Sequence, residues 1–152
     1  MALETGLGFT SGPSTALVTM AIPVEMTRSL AVGPMLQLGF GKDERVIVAP
    51  TLDTRFSMGL GTVFGEDPDD PGAWDNFELM AHGGIGFAYL EKERRGDDDD
   101  TGFLFNFGAG IDYLAGDRIT LGTRMTFNIM PTGVLDEDFF FAWQVLHMRI
   151  RF

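Results

Sequence analysis

Two histidines, His82 and His147, and a large stock of acids are the residues of this chain with catalytic or metal-binding potential. A hydroxyl, an imidazole and a carboxylate in series make a hydrolytic relay. Histidine and carboxylates converging on one point can hold a metal. Neither chemistry has a supporting motif: there is no G-x-S-x-G, no H-E-x-x-H and no glycine loop ahead of a helix to cradle phosphate. Cysteine is absent, which removes thiolate ligands, cysteine nucleophiles and disulfides. A histidine hydrogen-bonded in a polar interior explains His82 and His147 better than a triad does. The densest charge is Asp97-Asp98-Asp99-Asp100, with Glu91 and Glu93 close by. Hard oxygen ligands in that number suit Ca²⁺ or Mg²⁺, yet no turn glycine spaces them and Arg94-Arg95 adjoin them. A solvated loop is the expectation there, and the same holds for Glu66-Asp67-Pro68-Asp69-Asp70 and Asp75. No cofactor, no metal and no enzymatic activity are expected.

The elements that position these groups follow from composition and period. Twenty-two Asp+Glu against 11 Lys+Arg give a net charge of −11, which argues against a nucleic-acid partner. Hydrophobic residues make up 45%, too many for a disordered acidic chain. The 152 residues fit one domain, 1–152. No apolar run approaches the length of a transmembrane helix, roughly 18 residues. No leader pattern is visible around Met1-Ala2-Leu3-Glu4, so the compartment has to be argued from the strands.

Period-two alternation dominates. In Phe103–Tyr113 and in Ile119–Ile129 the odd positions are largely apolar and the even ones, Leu104 apart, polar or glycine, which is a strand pattern. Eight runs read this way: 3–10, 15–26, 29–41, 46–58, 77–90, 101–114, 118–130 and 139–152. Seven of them span 12–14 residues and the first spans eight; they exceed the usual five or six of a soluble sheet and suit a tilted bilayer crossing of about 9–11.

Sorted by face, the strands separate charge sharply. One face carries none. The other holds Glu4, Glu25, Asp53, Arg55, Glu78, His82, Asp112, Arg124, His147, Arg149 and Arg151 among Gly, Ala, Thr and Asn. Two inverse all-β architectures fit: a soluble lipocalin-like, lipid-binding barrel with the apolar face inside, and a transmembrane barrel with that face against lipid. Both lysines sit in turns or loops, the face's acids and arginines nearly balance, and Phe and Tyr gather at strand ends as aromatic girdles do. These features favour a closed eight-stranded antiparallel up-and-down transmembrane β-barrel. Lipid contact then accounts for the stripe Phe103, Phe105 and Phe107.

The last strand ends in Leu146, Met148, Ile150 and Phe152 at alternate positions. It resembles the C-terminal strand of bacterial outer-membrane barrels, and the whole chain resembles the small OmpA/OmpX-type eight-stranded barrels. The resemblance implies that these four residues are an assembly signal read by the outer-membrane assembly machinery. It also implies a Gram-negative outer membrane with both termini in the periplasm, and no particular activity. Two features depart from the family pattern. The long break at 59–76 lies on the termini side, where turns are usually short. Pro23, Pro34 and Pro50 fall inside strands and suggest bulges or other boundaries.

Tracking chain direction divides the expected lumen along its axis. Ile47, Leu90, Leu104, Phe139, Phe141 and Trp143 gather at the outer end, and Glu4, Glu25, Arg55, Glu78, Asp112, Arg149 and Arg151 at the termini end. An eight-stranded barrel is just filled by side chains, so no open pore is expected. The first functional expectation is a plugged, monomeric barrel in membrane lipid with a structural role or one exercised through loops 91–100 and 131–138. The alternative is a narrow carrier or port for a small hydrophobic molecule held by the outer apolar cluster. No particular protein partner is legible.

Overall fold

The computed structural model describes residues 1–12, 14–41, 46–64, 72, 74–91, 100–134 and 137–152; for 91, 100, 132–134 and 137 it describes the backbone only. The strands are β1 (Ala2–Ser11), β2 (Thr15–Ala21, resumed at Val24–Glu25), β3 (Leu30–Gly41), β4 (Val46–Gly59), β5 (Phe77–Glu91), β6 (Asp100–Leu114), β7 (Ile119–Val134) and β8 (Glu137–Arg151). Each pairs antiparallel with its successor, and β1 pairs with β8 from Ala2↔Arg151 to Ser11↔Phe141. The sheet is therefore a closed eight-stranded barrel with no free edge, as a lipid-embedded backbone requires.

Alternation in sequence becomes alternation in burial. Along β7, Thr120, Arg124, Thr126, Asn128 and Met130 are buried in the lumen, while Leu121, Met125, Phe127 and Ile129 face out. The outer face exposes Leu7, Met20, Leu52, Phe56, Ile85, Phe107 and Ile111 among many others, and the buried side holds the arginines. A surface of that kind is stable against hydrocarbon and not against water. The lipocalin-like inverse is thereby overturned.

On the termini side two connections are tight turns and the third is the long break after β4. Ala115 N donates to Ile119 O at 2.9 Å around Gly116, whose φ of 143° suits glycine. At the far end the Thr10 and Thr15 hydroxyls meet at 2.6 Å and brace the β1–β2 hairpin. The break after β4 opens with a short helix, α1 (Leu60–Phe64). Trp74 packs on Phe64 and Phe77 at 5.4 and 6.0 Å, which ties that segment back onto the barrel rim.

The prolines do not make bulges. Ala21↔Met35 and Val24↔Val32 keep one register across the interruption at Ile22–Pro23, and Val48↔Tyr89 and Thr51↔Gly86 do so across Pro50. A missing N–H removes a ladder bond without displacing the strand. One bulge lies in β8, and the β7–β8 register shifts again between Ile129 and Val134. Leu7 faces Leu146 but Gly8 faces Gln144, and Gly122 faces His147 but Arg124 faces Gln144, so Val145 is the extra residue. Val145 and Leu146 both point outward, at 51% and 53% exposure.

Candidate functional site in the barrel lumen

The bulge corrects the sequence reading of β8. A one-residue insertion reverses which face each earlier residue occupies. Phe139 is accordingly exposed on the outer wall, and Phe141 and Trp143 share its outward register, while Phe140, Ala142 and Gln144 are buried inside. Phe139 and Phe141 pack against the outward Phe127 at 6.0 and 5.3 Å, and Trp143 against Phe9 at 5.4 Å. Of the expected outer apolar cluster, only Ile47, Leu90 and Leu104 lie in the lumen. They pack with Leu17, Ala49, Ala88, Met130, Phe140 and Ala142 into a core exposed by no more than 4% at any member. The signal was Gln144: keeping the phase of Arg149 and His147 through Gln144 would have put an amide against lipid and three aromatic rings inside.

Below this apolar layer lies a polar one, in which Asp53 and His82 are joined by amides and hydroxyls that the sequence reading did not single out. Gln37 Nε2 donates to Asn128 Oδ1 at 2.9 Å, and Asn106 Nδ2 donates to Asp53 Oδ1 at 2.9 Å and to Thr51 Oγ1 at 3.2 Å. Asp53 also accepts from the Thr51 hydroxyl at 2.7 Å. His82 Nδ1 lies 3.0 Å from Asp53 Oδ2, and its Nε2 lies 3.2 Å from Thr126 Oγ1. That series has the order of a hydrolytic relay. Its hydroxyl, however, belongs to Thr126, which has no exposed surface and does not line the neighbouring cavity. Gly108 makes room for the ring, since a Cβ there would stand 2.5 Å from His82 Nε2.

Toward the termini the lumen side chains are charged and paired. Glu4 takes a direct contact from Arg55, a 3.0 Å bond from Arg124 and a 3.8 Å approach of Arg149. Arg149 reaches Asp112 at 3.1 Å and Glu78 at 3.3 Å. His147 Nδ1 lies 3.5 Å from Asp112 Oδ1, too long for a good hydrogen bond. Arg151 and Glu25 pair at 3.1 Å in the half-exposed mouth. The eleven charged and histidine residues singled out from sequence thus all fall on the inner side, divided into a Glu4-centred plug, an Asp53–His82 pair and a pair at the mouth. Register draws this arrangement together: Glu4 faces Arg149, Arg55 faces His82 and Glu78 faces Asp112 on adjacent strands. Asp97, Asp98 and Asp99 lie outside the described residues, as does the side chain of Asp100. Among the described residues no cluster of three potential ligands converges on one point. Leu146, Met148, Ile150 and Phe152 line the outer side of the last strand, with Phe152 N bonded to Met1 O at 3.2 Å.

The fold defined by this wall and plug is that of the eight-stranded outer-membrane β-barrels. The N-terminal β-barrel domain of Pseudomonas aeruginosa OprF superposes with a TM-score of 0.71 at 12% identity, over 99% of this chain and 96% of that one. Neisserial surface protein A (NspA) gives 0.67 at 9% identity, over 99% and 95%. The outer-membrane enzyme PagL gives 0.58 at 14% identity over the full length of both. At these identities the likeness is one of fold. No protein-family model matches the chain. No curated protein matches it either.

Proposed function

We propose that the protein is a monomeric outer-membrane barrel of a Gram-negative cell, termini in the periplasm, with a closed lumen and no catalytic role. Its function is structural or exercised through the segments it presents at the far end. One observation supports this reading: the inward side chains form three successive groups, an apolar cluster, hydrogen-bonded amides and hydroxyls, and ion pairs. An ion crossing the lumen would have to displace Phe140 and Leu104 and then separate Glu4 from two guanidinium groups. Transport of a small hydrophobic molecule along the axis has lost half its proposed site, because Phe139, Phe141 and Trp143 face lipid. The C-terminal alternation Leu146, Met148, Ile150 and Phe152 supports handling by the outer-membrane assembly machinery.

Liposomes containing the purified protein test the closed lumen. They should retain a small sugar as long as protein-free liposomes do. Rapid release in proportion to protein content would overturn the reading.

A further inference from the structure

The connection between β4 and β5 presents apolar side chains that belong to no strand. α1 is Leu60-Gly61-Thr62-Val63-Phe64, without a charged residue, and its Val63 and Phe64 are exposed, Phe64 by 61%. Trp74, where the chain returns, is exposed by 45%. Backbone bonds fix its place: Phe77 N donates to Trp74 O at 3.0 Å, and Leu114 N donates to Asn76 O at 2.7 Å, which fastens the turn to the end of β6. The rings continue one another. Trp74 lies against Phe64 and Phe77, and Phe77 lies 5.2 Å from Tyr113. Phe77, Tyr113 and Leu121 pair in one row of the outer wall, beside the row of Met58, Leu79 and Ile111. Glu78, next to Phe77, points the opposite way, to Arg149 in the lumen. The aromatic run thus begins on the lipid-facing wall and passes the strand ends onto the connection, away from the lumen.

We infer that α1 and Trp74 bind the membrane surface itself, at the headgroup–acyl boundary of the leaflet on the termini side. Continuity decides the occupant: the surface that meets lipid at Phe77 and Tyr113 runs through ring contacts to Trp74 and Phe64. Tryptophan is at home at that level, its ring apolar and its N–H within reach of polar groups. With no cation in α1, the attachment depends on buried apolar area and not on attraction to anionic headgroups. The long break at 59–76, unusual for the termini side, is thereby pinned to the bilayer through α1 and Trp74. It extends the barrel's contact with lipid beyond the wall, and it does so whether or not the lumen conducts.

Trp143→Phe leaves Trp74 as the sole tryptophan of the chain. The full chain carrying it is folded into phosphatidylcholine vesicles, with folding verified by heat-modifiable gel migration. Trp74 emission is then read with acyl chains brominated near the headgroup or near the methyl end, and with iodide on both sides of the bilayer. Bromine near the headgroup should quench about twofold more strongly than bromine near the methyl end, as expected for an interfacial ring. Iodide should quench weakly, and the pattern should not change with salt. Phe64→Trp in a Trp74→Phe/Trp143→Phe background moves the reporter onto α1 and should give the same shallow profile. Emission from Trp74 in the folded barrel that iodide quenches and neither brominated lipid does would overturn the inference, showing a surface left to water or to a protein partner. So would the same result for the reporter at position 64, or quenching of Trp74 mainly by the deep bromines.

Discussion

Replacing Glu4 by Gln removes the one carboxylate that Arg55 and Arg124 share while keeping the side chain's volume. Glu4, Arg55 and Arg124 are exposed by 4%, 6% and 4%, so water relieves little of the loss. Two unit charges at the 3.0 Å Arg124–Glu4 separation attract by about 5–6 kcal/mol at an effective dielectric constant of about 20. The amide keeps an acceptor oxygen and recovers part of this, which leaves an expected destabilisation of about 3–5 kcal/mol, the range for breaking a buried pair. Urea titration in phospholipid vesicles, followed by tryptophan fluorescence, measures it as a lower midpoint with an unchanged slope. The double variant Glu4→Gln/Arg124→Gln should be less destabilised than the sum of its singles by about 1–3 kcal/mol, because the second change removes a stranded cation. A single-variant loss below about 1 kcal/mol, or strict additivity, would refute the picture of a shared buried carboxylate.

Other consequences concern the wall and the bulge. Ile111→Arg and Met125→Arg place a cation on the lipid face and should each cost about 2–4 kcal/mol in vesicles; both residues are about half exposed, at 46% and 44%. Phe140→Ala should cost about 3–5 kcal/mol by opening a cavity in the apolar layer, whereas its neighbour Phe139→Ala should cost under about 2 kcal/mol because lipid fills the space. Equal costs would place the phase of β8 in error. In a Trp74→Phe background, Trp143 emission should be quenched by bromine-labelled acyl chains, and insensitivity to them would return the ring to the lumen. Deleting Val145 should leave a barrel that still folds into vesicles, since Leu146 then follows Gln144 in regular alternation and Gln144 and His147 both stay inward; loss of folding would show that the bulge itself is required.

How far the fold could be read from sequence depends on how strictly period two was kept. Along the described strand residues from Val46 to Ile129 the phase does not slip, and the faces assigned there agree with the structure, from Asp53 and Arg55 inward to Phe105 and Phe107 outward. Alternation fails as a guide where a residue is inserted. Val145 adds one position and reverses Phe139, Phe141 and Trp143, and apolarity alone does not reveal it because both faces at that end are apolar. Pro23, Pro34 and Pro50 suggested bulges or other strand boundaries: the strand does break at Ile22–Pro23, while the register passes all three unchanged. Within the lumen, the charges were legible because a charge on a strand facing lipid is costly. The pairing was not, since Glu4 and Arg55 are joined across the bore and not by strand register. The amide layer of Gln37, Asn106 and Asn128 went unnoticed because neutral polar residues on an inward face carry no equally sharp signal.

The central claim is that an apolar wall faces lipid and encloses a lumen that water does not fill. The native chain has no cysteine, so single cysteines placed along β7 from Ile119 to Ile129 can be spin-labelled in reconstituted vesicles without background. Relaxation by oxygen, which concentrates in hydrocarbon, is then compared at each position with relaxation by a water-soluble nickel complex. The expected profile has period two: labels at 121, 125, 127 and 129 collide with oxygen, and labels at 122, 124, 126 and 128 collide with neither reagent. Strong collision with the nickel complex at the even positions would show a water-filled channel and contradict the account. The same collision at the odd positions would contradict it too, by showing that the apolar face does not meet a membrane.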